Sequence, residues 1–278
     1  MLGKILKYDL KWIYKLIMIF YCLALVFSIL TRIFFSIENS VLFNVLSNIC
    51  SGCAIAMMVS SLINTLMRSW VRFVRNIYKD EAYLTHTLPV EKKTIYLSKV
   101  LSAIICSFTT VIVIILCLFI CYYSEKNMTL LKESLELAAN AYNTTVITFI
   151  FTITFVLFLE IVFILLLGYV GIIIGHRFNK NKMAKSLIWG FGLYILTSGL
   201  TILLIFIFGL FNRDIMNLIN TTDTVNMDSV KIIMYAGTAI YLIYNIIYYF
   251  VGQVNRKTGG KYEFFKKFQR IRKGALFA

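Results

Sequence analysis

Glu160 is the only acidic or basic residue well inside an apolar run of this 278-residue chain. A carboxyl group in such surroundings is costly, and it normally faces a protein interior or a watery cavity. Counted from Thr144 at helical rise, it lies about 24 Å along its run, past the middle of a bilayer. Arg32 stands near the end of another run and is too shallow to pair with it. Two roles stay open for Glu160. It lines a polar path or works as a protonatable switch, or it is a neutral, hydrogen-bonded carboxyl at a helix contact.

The remaining chemistry-bearing residues form no catalytic constellation. There is no G-x-x-x-x-G-K-S/T phosphate loop, no H-E-x-x-H and no G-x-S-x-G, so ATP binding through such a loop is not expected of this chain. The two histidines, His86 and His176, are far apart in sequence and make no histidine-rich metal site. Cys50-Ser51-Gly52-Cys53 has redox spacing, but within an apolar run it reads as packing. All six cysteines fall in apolar runs, which implies no disulfide framework. An intramembrane enzyme would need clustered polar groups that these runs lack.

The elements that carry these residues are set by hydropathy. The chain is 60% hydrophobic with a mean hydropathy of +0.81, more than a water-soluble domain of this length tolerates. Six runs, roughly 12–36, 41–67, 97–123, 144–175, 187–211 and 231–253, each reach the 20 or so residues of a membrane span. They are continuously apolar rather than alternating, so they predict helices and an all-α integral membrane protein. The formal charge of +15 is distributed as topology demands rather than as nucleic-acid binding would. All but five of the 28 Lys and Arg lie in the N-terminal segment, the 68–99 insert, the 176–186 loop and the tail after Val254. The exceptions are Arg32, Lys126, Lys132, Arg213 and Lys231, which share the opposite side with seven carboxylates. By the positive-inside rule both termini are expected in the cytoplasm.

Between the second and third runs lies a basic insert, 68–100. Arg68, Arg72, Arg75 and Lys79 recur at helical spacing, and Asp80-Glu81 closes that helix. Ala82–Leu88 fits one short helix or turn, stopped by Pro89, the chain's only proline. A further helix is expected to begin near Pro89–Glu91, with Glu91 in its first turn, and to continue through Lys99 into the third run. Ahead of the first run, 1–15 reads as an amphipathic interfacial helix. Lys4, Lys7, Lys11 and Lys15 share a face toward anionic lipid, while Leu2, Leu6, Leu10 and Ile13 take the other. Asp9 falls on that apolar side, where it either pairs with an arginine at 68, 72 or 75 or reaches the interface. Gly171-Ile-Ile-Ile-Gly175 allows close helix packing. The loops at 123–143 and 212–230 are short and polar, and the tail 255–278 is basic with interleaved aromatics.

With topology and insert in view, the chain resembles a membrane permease of the ATP-binding-cassette exporters, type-2 class. The likeness rests on the entry segment Lys7-Tyr8-Asp9-Leu10-Lys11, the six runs, and the insert Asp80-Glu81-Ala-Tyr-Leu-Thr-His-Thr-Leu-Pro89-Val with Lys92-Lys93 and Leu97-Ser-Lys99-Val after it. Ala82-Tyr83 and Glu91 depart from that family's usual residues. The resemblance implies a non-catalytic subunit of a bacterial plasma-membrane transporter, paired with a second permease copy. ATP and magnesium would be held by separate cytoplasmic ATPase subunits. Glu81 matches the coupling acid, and Asp80, Tyr83, Leu84, Thr85, His86, Thr87, Leu88 and Pro89 complete the element that docks on the ATPase. The cargo it implies is hydrophobic or amphipathic: an antimicrobial peptide, a lipid or a drug-like molecule. A membrane sensor or immunity protein without transport is the other class, and it predicts function with no ATPase partner.

Overall fold

The computed structural model describes residues 2–37, 41–79, 81–87, 89–211 and 227–274, with 86, 227–229 and 255–274 described by backbone alone. Every element among them is helical: α1 Leu2–Phe35, α2 Val41–Tyr78, α3 Ala82–Thr87, α4 Lys92–Tyr122, α5 Glu125–Ala141, α6 Val146–Gly175, α7 Lys182–Phe211 and α8 Met227–Gly274. Six of these, with Val230–Val254 standing for α8, are long and apolar enough to cross a membrane. This is a multi-pass membrane architecture. Helices satisfy their own backbone polar groups, which hydrocarbon cannot do for them.

The chain divides into two compact units. The first comprises Met1–Asn76 and Leu97–Thr152. Its core joins α1, α2 and α4: Ile13, Ile17 and Tyr21 pack with Cys106, and Ala24 with Ala54, Met58 and Cys117. Lipid tails are as apolar as leucine, so helix association here depends on close packing and interhelical hydrogen bonds. Both are present. The Tyr21 hydroxyl meets Thr110 Oγ1 at 2.6 Å, Thr65 Oγ1 reaches the same Thr110 at 2.9 Å, and Tyr14 meets Thr109 at 2.7 Å.

The second unit comprises Ile77–Tyr96 and Ile153–Ala278, with α6 its most buried helix. Phe163 packs on Tyr241, Tyr244 and Tyr248 of α8, whose spacing of three and four puts them on one helical face. Asn245 Nδ2 donates to the Leu159 carbonyl at 3.1 Å. The two glycines of the G-x-x-x-G stretch lie against α7. A Cβ on Gly171 would meet Gly190 Cα at 2.9 Å, and one on Gly175 would meet Ser186 Cα at 2.5 Å.

Two elements differ from the sequence expectation. No break separates 1–15 from the first span, because α1 runs unbroken from Leu2 to Phe35. Neither glycine nor proline occurs between Lys15 and Phe35, and Asp9 and Ile13 are buried in protein rather than turned to lipid. The polar stretch 123–143 contains the 17-residue α5. Its Glu, Lys, Leu and Ala content has high helix propensity, with an exposed Lys132–Glu136 pair at 3.8 Å. It ends where Asn143 adopts a left-handed φ of 48° and Thr144 N–H returns to the Ala139 carbonyl.

Candidate functional site

The insert is built from three helical pieces. The α2 helix continues to Tyr78, well past its most apolar stretch. Ala82 N–H then bonds the Lys79 carbonyl at 2.8 Å and turns the chain into α3, where Thr85 N–H and Oγ1 both donate to the Glu81 carbonyl. Pro89 has no N–H to extend a helix. The α4 helix starts at Lys92, with the Glu91 carbonyl accepting from Thr94 and Ile95. Glu91 thus stands just before the first turn rather than within it.

Aromatic contacts hold both shoulders of this segment. On one side Tyr78 stacks on His176, the residue after α6, at 4.2 Å between centroids. His176 Nδ1 in turn lies 2.8 Å from the Ile172 carbonyl. On the other side Tyr96 is fully buried, 5.6 Å from the Tyr249 ring, and its hydroxyl fills the space left by Gly252. Between these anchors α3 turns its bulk outward: Tyr83 is 77% exposed and Leu84 67%. Ala82, Thr85 and Glu81 are half-buried, while Thr87 and Pro89 are exposed. Asp80, Leu88 and the His86 side chain lie outside the described residues, as do the side chains of the tail.

A second polar cluster lies in the first unit. Asp9, 1% exposed, receives Arg72 Nε at 2.9 Å and Lys99 Nζ at 2.5 Å on one oxygen, and Ser98 Oγ at 3.2 Å on the other. Trp12, one turn along α1, carries the guanidinium of Arg68 at 4.2 Å from its ring centroid, with Arg72 and Arg75 at 5.3 and 5.7 Å. The periodic arginines of α2 are thus gathered on one indole, a favourable cation–π arrangement. Lys4, Lys7, Lys11 and Lys15 are all exposed, on the face of α1 away from Asp9. The pairing of Asp9 with Arg72 follows one of its two sequence alternatives. Lys99 was not among the candidates, although a lysine in the first turns of an apolar run is the signal that pointed to it.

Neither family models, curated proteins nor solved structures match this chain. The site therefore rests on its own residues. Glu160 is half-buried on α6. It has no place in the clusters just described. Cys50 and Cys53 are half-buried, and all six cysteines are free. Among the described residues no group of three or more His, Cys, Asp or Glu side chains could hold a metal. What the insert offers chemically is a surface: a short helix that leaves a tyrosine and a leucine side by side in the open.

Proposed function

We propose that this chain is the permease subunit of an ATP-driven exporter, similar in organisation to the type-2 ATP-binding-cassette permeases. The observation that carries the reading is α3 itself, with Tyr83 and Leu84 exposed on a six-residue helix between two long ones. A tyrosine and a leucine left uncovered on so short an element have the character of docking anchors. The positive-inside rule supports placing this side, with both termini, in the cytoplasm of a bacterial plasma membrane. There the element meets ATPase subunits that bind ATP and magnesium, and a second permease copy completes the transporter.

In this reading the ATPase pulls or pushes α3 as it closes on ATP. The bias comes from unequal affinity of α3 for the open and closed ATPase, since equal affinity would shift nothing. Arg68–Lys79 and Glu91–Lys99 carry the motion into the spans, and Glu81 anchors the start of α3. The cargo is hydrophobic or amphipathic, taken from the cytoplasm or the bilayer.

The test is purification of the full chain from its native membrane, followed by ATP hydrolysis and transport in reconstituted vesicles. An ATP-hydrolysing partner is expected to copurify, and Tyr83→Ala with Leu84→Ala to weaken its binding by about tenfold or more. Glu81→Ala is expected to uncouple hydrolysis from transport. Recovery with no nucleotide-binding protein, or unchanged coupling in all three variants, would sink the reading.

A further inference from the structure

At the end of the spans where α1 stops and α2 begins, a cavity of about 50 Å³ opens among α1, α2 and the segment joining α4 to α5. Its walls are rich in donors. Arg32 projects from α1, Asn48 from the first turns of α2, and Ser124 and Asn127 from the start of α5. Arg32 makes no ion pair with any described residue, and its guanidinium rests 5.7 Å from the centroid of the Tyr123 ring. Ser124 occupies the position before α5, yet its hydroxyl makes no capping bond. Asn127 spends one amide hydrogen on the Tyr122 carbonyl at 3.1 Å and has the other to offer.

The charge balance has one sign. Among the described residues no carboxylate lines the cavity, and Glu125 in the first turn of α5 is exposed and outside its walls. The first backbone N–H groups of α5 also lack acceptors within the helix, as in any helix start, and the dipole there favours an anion. An arginine at the end of a membrane span, beside aromatic side chains, sits at the depth of lipid headgroups. Phe35, Tyr122 and Tyr123 are such side chains, each more than 40% exposed.

We infer that this cavity is a phosphate-binding site, with Arg32 as the charged ligand and Asn48, Ser124 and Asn127 as the donors that orient the group. The ligand is the phosphodiester of an anionic phospholipid, drawn from the leaflet beside α1 and α2. A free phosphate has the same chemistry and would reach the site from water. The site shares no residue with the insert, and its existence does not depend on the exporter reading.

The experiment uses the full chain in nanodiscs of phosphatidylcholine with graded phosphatidylglycerol, and native mass spectrometry of the lipid retained after release. The wild type is expected to keep phosphatidylglycerol over phosphatidylcholine by about tenfold, the worth of one charge-assisted hydrogen bond. Arg32→Gln should abolish that preference, Arg32→Lys should retain part of it, and Asn48→Leu should weaken it with unchanged thermal unfolding in detergent. Displacement of the lipid by millimolar inorganic phosphate, sensitive to Arg32→Gln, would keep the site and assign it to free phosphate. Equal lipid ratios in the wild type, Arg32→Gln and Asn48→Leu would overturn the proposal. So would an unchanged ratio in Asn48→Leu where Arg32→Gln fails to fold.

Discussion

At the scale of single residues, the balance at Asp9 is lopsided. One carboxylate serves two cations at 2.9 and 2.5 Å, and all but Arg72 are almost fully buried. Removing the acid takes from both cations the carboxylate they share, whereas removing Lys99 leaves the Asp9–Arg72 pair in place. Asp9→Asn is therefore expected to cost about 3 kcal/mol or more, and Lys99→Met no more than about 1 kcal/mol, in detergent unfolding measurements. Equal losses would show that the acid is not the hub. The Thr110 hydroxyl is shared by Tyr21 and Thr65, so Thr110→Val should lower stability by about 1 kcal/mol in the same assay. Asp9 was legible as an anomaly because an acid on an apolar stripe demands a partner. Which cations answer it was settled by packing, and periodicity alone does not carry that information.

At the scale of elements, the helix pair α6–α7 has an asymmetry that substitution can read. A Cβ on Gly171 runs into the backbone of Gly190, but a Cβ on Gly190 meets nothing within 4 Å. Gly171→Ala is expected to destabilise by about 1–3 kcal/mol through forced separation of the helices, while Gly190→Ala should be neutral or slightly stabilising. Thermal unfolding of the two variants side by side checks this, and matching losses would refute the packing geometry. The boundaries of helices were less legible than their existence. Hydropathy marks only the apolar stretch, so the run 187–211 begins five residues after Lys182, where its helix starts, whereas Pro89 and Glu91 marked the start of α4 at Lys92 closely. The same blindness hid α5, whose helix-forming residues bury little apolar surface, and joined α1 to its lysine-bearing start without a visible seam.

At the scale of the whole molecule, six apolar runs became six span-length helices, since in lipid no other open structure closes its hydrogen bonds. Sidedness is a separate matter, carried by the charge asymmetry, and it is directly measurable. In a cysteine-free background, Lys132→Cys and Lys180→Cys are expected to react with a membrane-impermeant thiol reagent from opposite faces. Labelling from the same face would break the six-span topology. The docking role proposed for α3 was suggested only by resemblance, because the exposure of Tyr83 and Leu84 depends on what the neighbouring helices cover. The donors around Arg32 were not readable at all: they come from three segments of the chain that meet only in the fold. The buried cluster at Asp9 also has a history in time. Its partners follow it by 63 and 90 residues, which at ordinary translation speeds means a wait of roughly 3–18 s. During that wait the nascent first helix carries an acid with no mate, so its basic end has reason to linger at the headgroups. Seating of the first helix is then expected no earlier than the emergence of Arg72 from the ribosome, with Lys99 joining a pair already made.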